Sequence, residues 1–199
     1  MAAAGKPGSK RRLSKADRCE QMIETALEII RENGADALTL GYLAERAGVS
    51  KPIAYEHFGT RSGLLIALYR RIDEKQVRAL LGCLATAQHE LDEVARLIAR
   101  AYMTCHSASG PEGHAISAAL MGDPQMEAVQ QDLRDGCVRI IADALARFSK
   151  LSRDTLEQRC VGIVGAAEAL SRDMTRGRLD KVEAIENLTA LIVSGIDPR

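Results

Sequence analysis

Apolar residues recur every three to four positions along most of the chain, and this spacing places them on one face of an α-helix. The first such run begins after Ser14, a residue type that caps helix N-termini, and stops at Gly34. No segment shows the strict alternation that is typical of a half-buried β-strand. The pattern therefore predicts an all-α fold of about nine helices, the first of them over residues 14–33.

Two short helices separated by a glycine are predicted next. The first begins after Thr39 and ends at Gly48, because a left-handed backbone at a helix end favours glycine. The second begins after Ser50 and ends at Phe58. Pro52 lies in its first turn, where a backbone N–H has no helical partner to lose.

Longer helices are predicted in the rest of the chain. A break is expected at residues 107–111, and helix starts are expected at Asp123, Asp154 and Asp180, the last two followed three residues later by a glutamate. The predicted helices cover about residues 61–84, 91–106, 112–120, 124–150, 154–176 and 180–195. The predicted organisation is a disordered basic arm (residues 1–12), a three-helix unit with a helix-turn-helix (13–60) and a larger helical lobe (61–199).

The composition is that of a soluble globular protein, with 46% hydrophobic and 27% charged residues. No apolar run reaches the roughly 18 residues that a membrane span needs. No apolar stretch follows the basic N-terminus either, which argues against a secretory signal. We expect a cytoplasmic protein without membrane contact.

Charge is unevenly distributed along the chain, although the formal net charge is zero. Residues 1–18 carry six basic side chains and a single carboxylate, Asp17, so the remainder is acidic. The basic residues are Lys6, Lys10, Arg11, Arg12, Lys15 and Arg18. Such an arm is either a solubilising tail or a segment that contacts the phosphates or the minor groove of DNA.

Catalytic and metal-binding motifs are not evident. Five cysteines are scattered along the chain: Cys19, Cys83, Cys105, Cys137 and Cys160. They form no Cys-x-x-Cys pair, which indicates buried or unreactive thiols, with redox sensing as the alternative. His89 and Glu90 begin the zinc-protease pattern His-Glu-x-x-His, but Glu93 stands where the second histidine would be. We therefore predict neither an enzyme nor a bound cofactor or metal.

The most specific pattern lies between Thr39 and Phe58. This segment reads Thr-Leu-Gly-Tyr-Leu-Ala-Glu-Arg-Ala-Gly-Val-Ser-Lys-Pro-Ile-Ala-Tyr-Glu-His-Phe. Two short helices joined by a tight turn can present the second helix to a DNA major groove. Ala44 allows the helices to approach closely, and Val49, Ala54 and Phe58 are predicted to dock the second helix on the first. An ordinary helical hairpin and a helical adaptor that binds only protein are the alternatives.

The same segment resembles the signature of the TetR family of bacterial repressors, in which Ala-Gly-Val-Ser precedes a Tyr-x-His/Tyr-Phe ending and a basic residue. The matching positions are Thr39, Ala44, Ala47, Gly48, Val49, Ser50, Lys51, Tyr55, His57, Phe58, Arg61 and Leu64. The resemblance is strong over residues 14–70 and rests on length and helix order beyond them. It implies a transcriptional repressor that binds a palindromic operator in double-stranded DNA as a homodimer and is released by a small molecule.

The resemblance also implies which residues contact DNA. Those expected nearest the bases are Lys51, Pro52, Ile53, Tyr55 and Glu56. His57 and Arg61 are expected to approach phosphates, and Thr39 and the arm residues Arg11 and Arg12 complete the predicted interface.

Two of these residues depart from the family pattern. Ile53 stands where relatives often have a polar or small residue. Glu56 places a carboxylate beside an anionic duplex, and two interpretations of it remain open. It could accept a hydrogen bond from a cytosine amino group, or it could be a solvated residue that pairs with a neighbouring helix.

The last two predicted helices are more apolar than one flank of a small lobe needs, and the resemblance assigns them to the dimer interface. Gly162 and Gly165 would allow close packing there. The predicted interface residues are Leu156, Val161, Val164, Val182, Ile185, Leu188 and Ile192. The alternative is that these residues are buried within a single chain.

Residues 61–150 are predicted to enclose a mostly apolar cavity for a small apolar ligand. Its candidate lining residues are Tyr69, Leu97, Tyr102, Met103, Cys105, His106, Met121 and Met126. Methionine adapts to irregular ligands, and a chain with four tyrosines, two phenylalanines and no tryptophan suits a flexible aliphatic ligand better than a stacked ring system. The alternative is that each of these residues simply fills the core.

Overall fold

The computed structural model describes residues 14–85, 90–108 and 110–196, without the side chains of residues 105–108, 110, 111 and 114. Within these residues the chain forms nine α-helices and two 3₁₀ turns and no strand, which confirms the predicted fold class. The predicted basic arm lies outside the described residues. The chain divides into two compact units, with the boundary between Leu64 and Leu65.

The N-terminal unit is built from helices of which the first two begin at side-chain caps. Its elements are α1 (Lys15–Asn33), a 3₁₀ turn (Ala35–Ala37), α2 (Leu40–Arg46), α3 (Lys51–Phe58) and the first turn of α4 (Arg61–Ala85). As predicted, the Ser14 hydroxyl accepts a hydrogen bond from the Asp17 amide, and the Thr39 hydroxyl accepts one from the Tyr42 amide, both at 3.1 Å. These bonds satisfy amides that the first helical turn leaves without partners.

The core of the N-terminal unit consists of the apolar faces that the sequence pattern predicts. Met22 and Ile29 of α1, Leu38, Leu43 of α2 and Leu64 at the start of α4 are fully buried. The path of the chain between α1 and α2 turns at Gly34, whose φ of 81° is a conformation that other residues rarely adopt.

The second unit contains the rest of α4 and five further helices. These are α5 (Leu91–Ala108), α6 (Gly110–Ala119), α7 (Pro124–Leu145), α8 (Arg153–Thr175) and α9 (Lys181–Ile196), with a 3₁₀ turn (Ala146–Phe148) after α7. Helix α9 packs against α5 and α8, and α8 packs against α7. Their facing sides form one apolar core that includes Val94, Ile98, Ile141, Leu188 and Ile192.

The predicted start of α9 is confirmed in atomic detail. The Asp180 carboxylate accepts hydrogen bonds from the amides of Val182 and Glu183, and the Glu183 carboxylate accepts one from the Asp180 amide. This reciprocal arrangement is a capping box. In the described residues, no helix is long and apolar enough to cross a membrane.

Three predicted helix boundaries require correction. Helix α8 is capped by Ser152, whose hydroxyl accepts from the Thr155 amide at 3.3 Å, so Asp154 lies in its first turn instead of at its cap. Helix α7 ends at Leu145 rather than near residue 150, because the chain tightens there into a 3₁₀ turn over Ala146–Phe148. Helix α5 continues to Ala108, inside the predicted break.

Gly63 generates the first prediction. A Cβ at this position in the first turn of α4 would clash with the backbone carbonyl oxygen of Phe58, which cannot rotate aside as a side chain could. We expect Gly63→Ala to lower the free energy of unfolding by about 1–3 kcal/mol, the usual cost of overpacking. Thermal unfolding followed by circular dichroism measures this change.

Gly82, further along the same helix, provides the matched control. A Cβ there meets nothing within 4 Å, so Gly82→Ala should raise stability by up to about 1 kcal/mol through helix propensity. A Gly63→Ala protein as stable as Gly82→Ala would contradict the close approach of α4 to the end of α3.

Candidate nucleic-acid interface and cavity

Helices α2 and α3 form a helix-turn-helix. Gly48 occupies the turn between them with a φ of 66°, and the Val49 amide donates to the Ala44 carbonyl oxygen at 2.9 Å, which closes the turn. Ser50 stands at the N-cap position of α3, but its side chain makes no capping hydrogen bond. The start of α3 is therefore set mainly by the turn and by Pro52 in its first turn.

Helix α3 docks on α2 through small side chains. Ala44 and Ala54 are almost fully buried, Phe58 is buried at the end of α3, and Val49 is half-buried. Alanines facing one another let the two helices approach closely. This is the inward face that the sequence pattern predicts.

The opposite face of α3 is available to a partner. Lys51, Pro52, Tyr55 and Glu56 are exposed, and the Tyr55 ring presents 54% of its surface although it is aromatic. Of the other residues predicted to contact DNA, Ile53 and His57 are half-buried, and Thr39 is exposed at the start of α2. Arg11 and Arg12 lie outside the described residues.

Glu56 pairs with a neighbouring helix. The Lys15 ammonium, at the start of α1, donates to the Glu56 carboxylate at 2.8 Å. This hydrogen bond and the charge of Lys15 lower the pKa of Glu56, and the same contact raises the pKa of Lys15. Of the two interpretations of Glu56, the structure of the free chain shows the pairing, and a bond to a cytosine would have to displace Lys15.

Arg61 is engaged by the unit's own backbone. Its guanidinium donates from Nε to the Leu38 carbonyl oxygen at 2.8 Å and from Nη2 to the Ala35 carbonyl oxygen at 2.7 Å, with Asp36 at 3.7 Å. These carbonyls belong to the segment between α1 and α2. The expectation that Arg61 serves mainly as a phosphate contact is therefore revised, since the structure assigns its guanidinium to holding this segment against α4.

One contributor to the turn was missed by sequence reasoning. Gln21, half-buried on α1, donates from Nε2 to the Ala47 carbonyl oxygen at 3.2 Å and so ties the helix-turn-helix to α1. The available signal was a polar residue beside the apolar stripe of α1. Which carbonyl it reaches depends on the packing of α1 across the turn.

A cavity of about 570 Å³ lies in the second unit, enclosed by residues of α4 to α8. Of the residues predicted to line it, Tyr69 and Tyr102 do so. Burial raises the pKa of both tyrosines, so their hydroxyl groups stay protonated. The wall also carries an ion pair, in which the Arg134 guanidinium donates to the Glu168 carboxylate at 3.0 Å.

The other predicted lining residues lie elsewhere. Met103 and Met126 are buried in the packing between helices, Leu97 is half-buried, and Met121 is 84% exposed in the turn after α6, so none of the four contributes to this cavity. The side chains of Cys105 and His106 lie outside the described residues. Methionine composition was a poor guide because its flexible side chain fills core gaps equally well.

The predicted interface residues fall into two groups. Leu156, Val164, Leu188 and Ile192 are at most 2% exposed and belong to the protomer's own core, and Ile185 packs against that core. We therefore withdraw these five from the predicted interface. Val161 and Val182 are 55% and 64% exposed and remain candidates.

Known proteins resemble this chain in both units. Residues 22–68 match the model of the family described as bacterial regulatory proteins, tetR family. The HTH-type transcriptional activator FasR of Mycolicibacterium smegmatis is 25% identical over 90% of this chain and 80% of its own length. Tetracycline repressor protein class C of Escherichia coli is 47% identical, over 25% of this chain and 22% of the repressor. The crystal structure of the transcriptional regulator FadR from Bacillus subtilis in complex with stearoyl-CoA superposes with a TM-score of 0.67 at 19% identity, over 89% of this chain and 99% of that one.

The N-terminal unit, with its docked α2 and exposed α3, is that of a helix-turn-helix DNA-binding protein. Over residues 22–68 the chain matches the TetR family of bacterial regulatory proteins, which confirms there the resemblance seen in the sequence. It is a DNA-binding regulator of transcription.

Arg61 generates a prediction that separates its two roles. Because its guanidinium is held by two carbonyl oxygens, Arg61→Ala should destabilise the protein by about 1–3 kcal/mol, as expected for lost hydrogen bonds to a charged group. The dependence of DNA affinity on salt should not change. A phosphate contact would instead reduce the slope of log K against log salt by about one.

Urea unfolding and fluorescence anisotropy with labelled DNA measure the two quantities. Arg46→Ala is the control, because the exposed Arg46 pairs with Glu32 on the surface of the same unit and should leave stability almost unchanged. If the Arg61→Ala protein is as stable as the wild type but its DNA affinity depends less on salt, Arg61 is a phosphate contact.

The Lys15–Glu56 pair generates a third prediction. Glu56→Gln should free the Lys15 ammonium for a phosphate, so affinity for DNA of any sequence should rise and the salt slope should steepen by about one. Lys15→Gln should have the opposite effect on affinity, because Glu56 would then face the duplex without compensation. Glu45→Gln removes an exposed carboxylate from α2 and serves as the control. Equal effects of Glu56→Gln and Glu45→Gln would show that only net charge matters.

Proposed function

We propose that the protein is a homodimeric regulator that inserts α3 into the major groove of a palindromic operator. The exposed face of α3 carries this proposal, because an isolated unit gains nothing by presenting a tyrosine ring, a lysine and a proline together to solvent. In this arrangement Lys51, Pro52 and Tyr55 approach the base edges. Thr39, His57 and the arm residues Arg11 and Arg12 approach the sugar-phosphate backbone.

A matched pair of lysines tests the DNA contact. Lys51→Ala should weaken binding to a duplex selected from a random library by about tenfold or more, as for loss of a good base contact. Lys150→Ala removes an exposed lysine of the second unit and should leave affinity unchanged. Anisotropy titrations at fixed salt give both affinities. Equal losses of affinity in the two variants would contradict the proposal that α3 contacts the bases.

The homodimer is supported by an exposed stripe on α8. Val161, Gly165 and Ala169 follow one another at intervals of four residues on the solvent side of this helix, with Gly162 next to Val161. Small residues at this spacing let a second helix approach closely, and an apolar stripe in water favours a partner. On α9, the exposed Val182 remains in the proposed interface, and we add the exposed Leu191 to it. A twofold axis would present two copies of α3 to half-sites one helical turn, about 34–36 Å, apart.

Charging this stripe tests the dimer. We expect Val161→Glu to give a folded monomer with greatly reduced DNA affinity, because both half-sites are needed for tight binding. Leu81→Glu places the same charge on an exposed leucine of α4 and should remain dimeric. Light scattering after size-exclusion chromatography reports the mass. A dimeric Val161→Glu protein would move the interface elsewhere.

Control by a small molecule is the third element of the proposal. Residues 69–80 of α4 contribute to the cavity wall, and the same helix begins in the DNA-binding unit. The FadR structure that shares this fold was solved in complex with stearoyl-CoA, which supports control by a small molecule. A ligand that prefers one position of α4 would shift DNA affinity by a coupling of about 1–3 kcal/mol, or roughly 5- to 150-fold.

The direction of control is proposed to be repression, with release of the operator on ligand binding. Activation is the second candidate, because the relative that is matched over 80% of its length is named an activator. A reporter gene placed behind the selected operator distinguishes them. Repression predicts higher reporter expression when Lys51→Ala replaces the wild-type protein, and activation predicts lower expression.

A further inference from the structure

The cavity of the second unit changes in polarity from one end to the other. At one end its wall is formed by Leu80, Ile98, Ile141 and Val164, which are also members of the buried core. At the other end it is lined by Arg172, Thr175 and Arg176, which are exposed. Since these three are the exposed members of the lining, the cavity opens to solvent at the C-terminal end of α8.

One face of α8 runs the length of this gradient. Val164, Glu168, Arg172 and Arg176 follow one another at intervals of four residues and all line the cavity. Each interval advances about 6 Å along the helix axis and keeps neighbouring members on nearly the same face, and Arg176 is the C-cap residue that directly follows α8. The wall therefore passes from an apolar side chain, through a carboxylate, to two guanidinium groups over about 18 Å.

The middle of the cavity is not suited to a free anion. The Glu168 carboxylate is already paired with Arg134, so this pair adds no net charge. Asp73 of α4 also lines the wall, and burial raises its pKa above the usual value of an aspartate. An anionic group placed at this depth would face both carboxylates.

The opening is suited to an anion. Among the described residues, neither Arg172 nor Arg176 forms an ion pair, whereas the neighbouring Arg178 is paired with Asp173 at 2.6 Å. Guanidinium groups form paired hydrogen bonds with the oxygens of carboxylates and phosphates. Two unpaired guanidinium groups at the mouth of a mainly apolar cavity define a site for a molecule with both characters.

We propose that the ligand is an amphiphile with an aliphatic body and one anionic end, a carboxylate or a phosphate. The body lies toward Leu80, Ile141 and Val164, and the anionic end stays at the opening against Arg172 and Arg176. This assignment rests on the proposed control by a small molecule and names the chemical class of that molecule.

Three ten-carbon probes of equal chain length test the assignment: decanoate, decyl phosphate and decanol. Isothermal titration calorimetry, below the micelle concentration of each probe, should show that one anionic probe or both bind the wild-type dimer at least about tenfold more tightly than decanol. The tighter of the two anionic probes identifies the carboxylate or the phosphate as the natural end group.

The variant R172Q/R176Q should reduce this preference to within about twofold, without weakening the binding of decanol. R139Q, which removes an exposed arginine of α7 outside the lining, is the matched control and should keep the preference. The thermal midpoint of each variant identifies any change in folding. If the two arginines only balance the negative end of the α8 dipole, R172Q/R176Q will lose stability and retain the anion preference, and the proposal fails.

A larger side chain in the cavity wall tests whether the aliphatic body of the ligand lies at the apolar end. A101L introduces three carbon atoms into the lining one turn of α5 from Ile98, at the apolar end. It should weaken decanoate more than hexanoate, because the longer chain extends further toward that end. Equal losses of affinity for decanoate and hexanoate would show that the aliphatic body of the ligand does not lie against Ala101.

Release of DNA separates this proposal from the proposed function. If decanol binds and releases DNA as well as decanoate does, control by a ligand stands and the anionic end group is overturned. If decanoate binds with the expected preference and never alters DNA affinity, the ligand class stands and control fails. Failure of all three probes to bind would overturn the ligand class.

Discussion

The close packing of α3 on α2 is the constraint on which the DNA-binding unit depends. Ala44 and Ala54 bring the two helices together, and Phe58 closes the end of α3, so the remaining side chains of α3 must face outward. The backbone at the ends of these two helices is also held closely in place. Gln21 fixes the Ala47 carbonyl from α1, and Gly63 lets α4 begin directly against the end of α3. A bulkier side chain at any of these contacts would tilt the helix that meets DNA.

On the face of α3 that we propose to meet DNA, charge is already balanced within the protein. Lys15 neutralises Glu56, so the one carboxylate on the exposed face of α3 carries its own counter-charge. Both side chains are exposed, and pairs of this kind contribute little to stability in water. We propose that the contact matters because it changes the electrostatic potential at the surface that would contact a DNA duplex. If Lys15 left Glu56 to bind a phosphate, the Glu56 carboxylate would need a hydrogen-bond donor from a base. DNA affinity would then depend on whether the base at that position offers such a donor.

The second unit divides its apolar residues between three surfaces. Many apolar residues of α8 and α9 are buried in the protomer's own core, among them Leu156, Val164, Leu188 and Ile192. A narrow stripe of small residues on α8 remains for a partner. A third set lines the cavity, where the Arg134–Glu168 pair joins α7 to α8 and satisfies two charges inside a mainly apolar wall. The same helix, α8, therefore contributes to the core, the proposed interface and the proposed ligand site, and Val164 belongs both to the core and to the cavity wall.

The sequence by itself determined the helices, their caps and the DNA-binding motif. These features depend on neighbours within about four residues, as in the capping box of Asp180 and Glu183 or the glycine turn at Gly48, and local patterns record them directly. Tertiary structure alone decided which apolar residues face the core, a cavity or solvent. Val161 and Val164 look alike in the sequence, yet one is exposed and the other buried. Three residues of helix turn them about 60° apart around the axis, and the packing of α5, α7 and α9 against α8 decides which of the two is covered. For the same reason the partners of Arg61 and Glu56, which lie 23 to 41 residues away, could not be read from the chain.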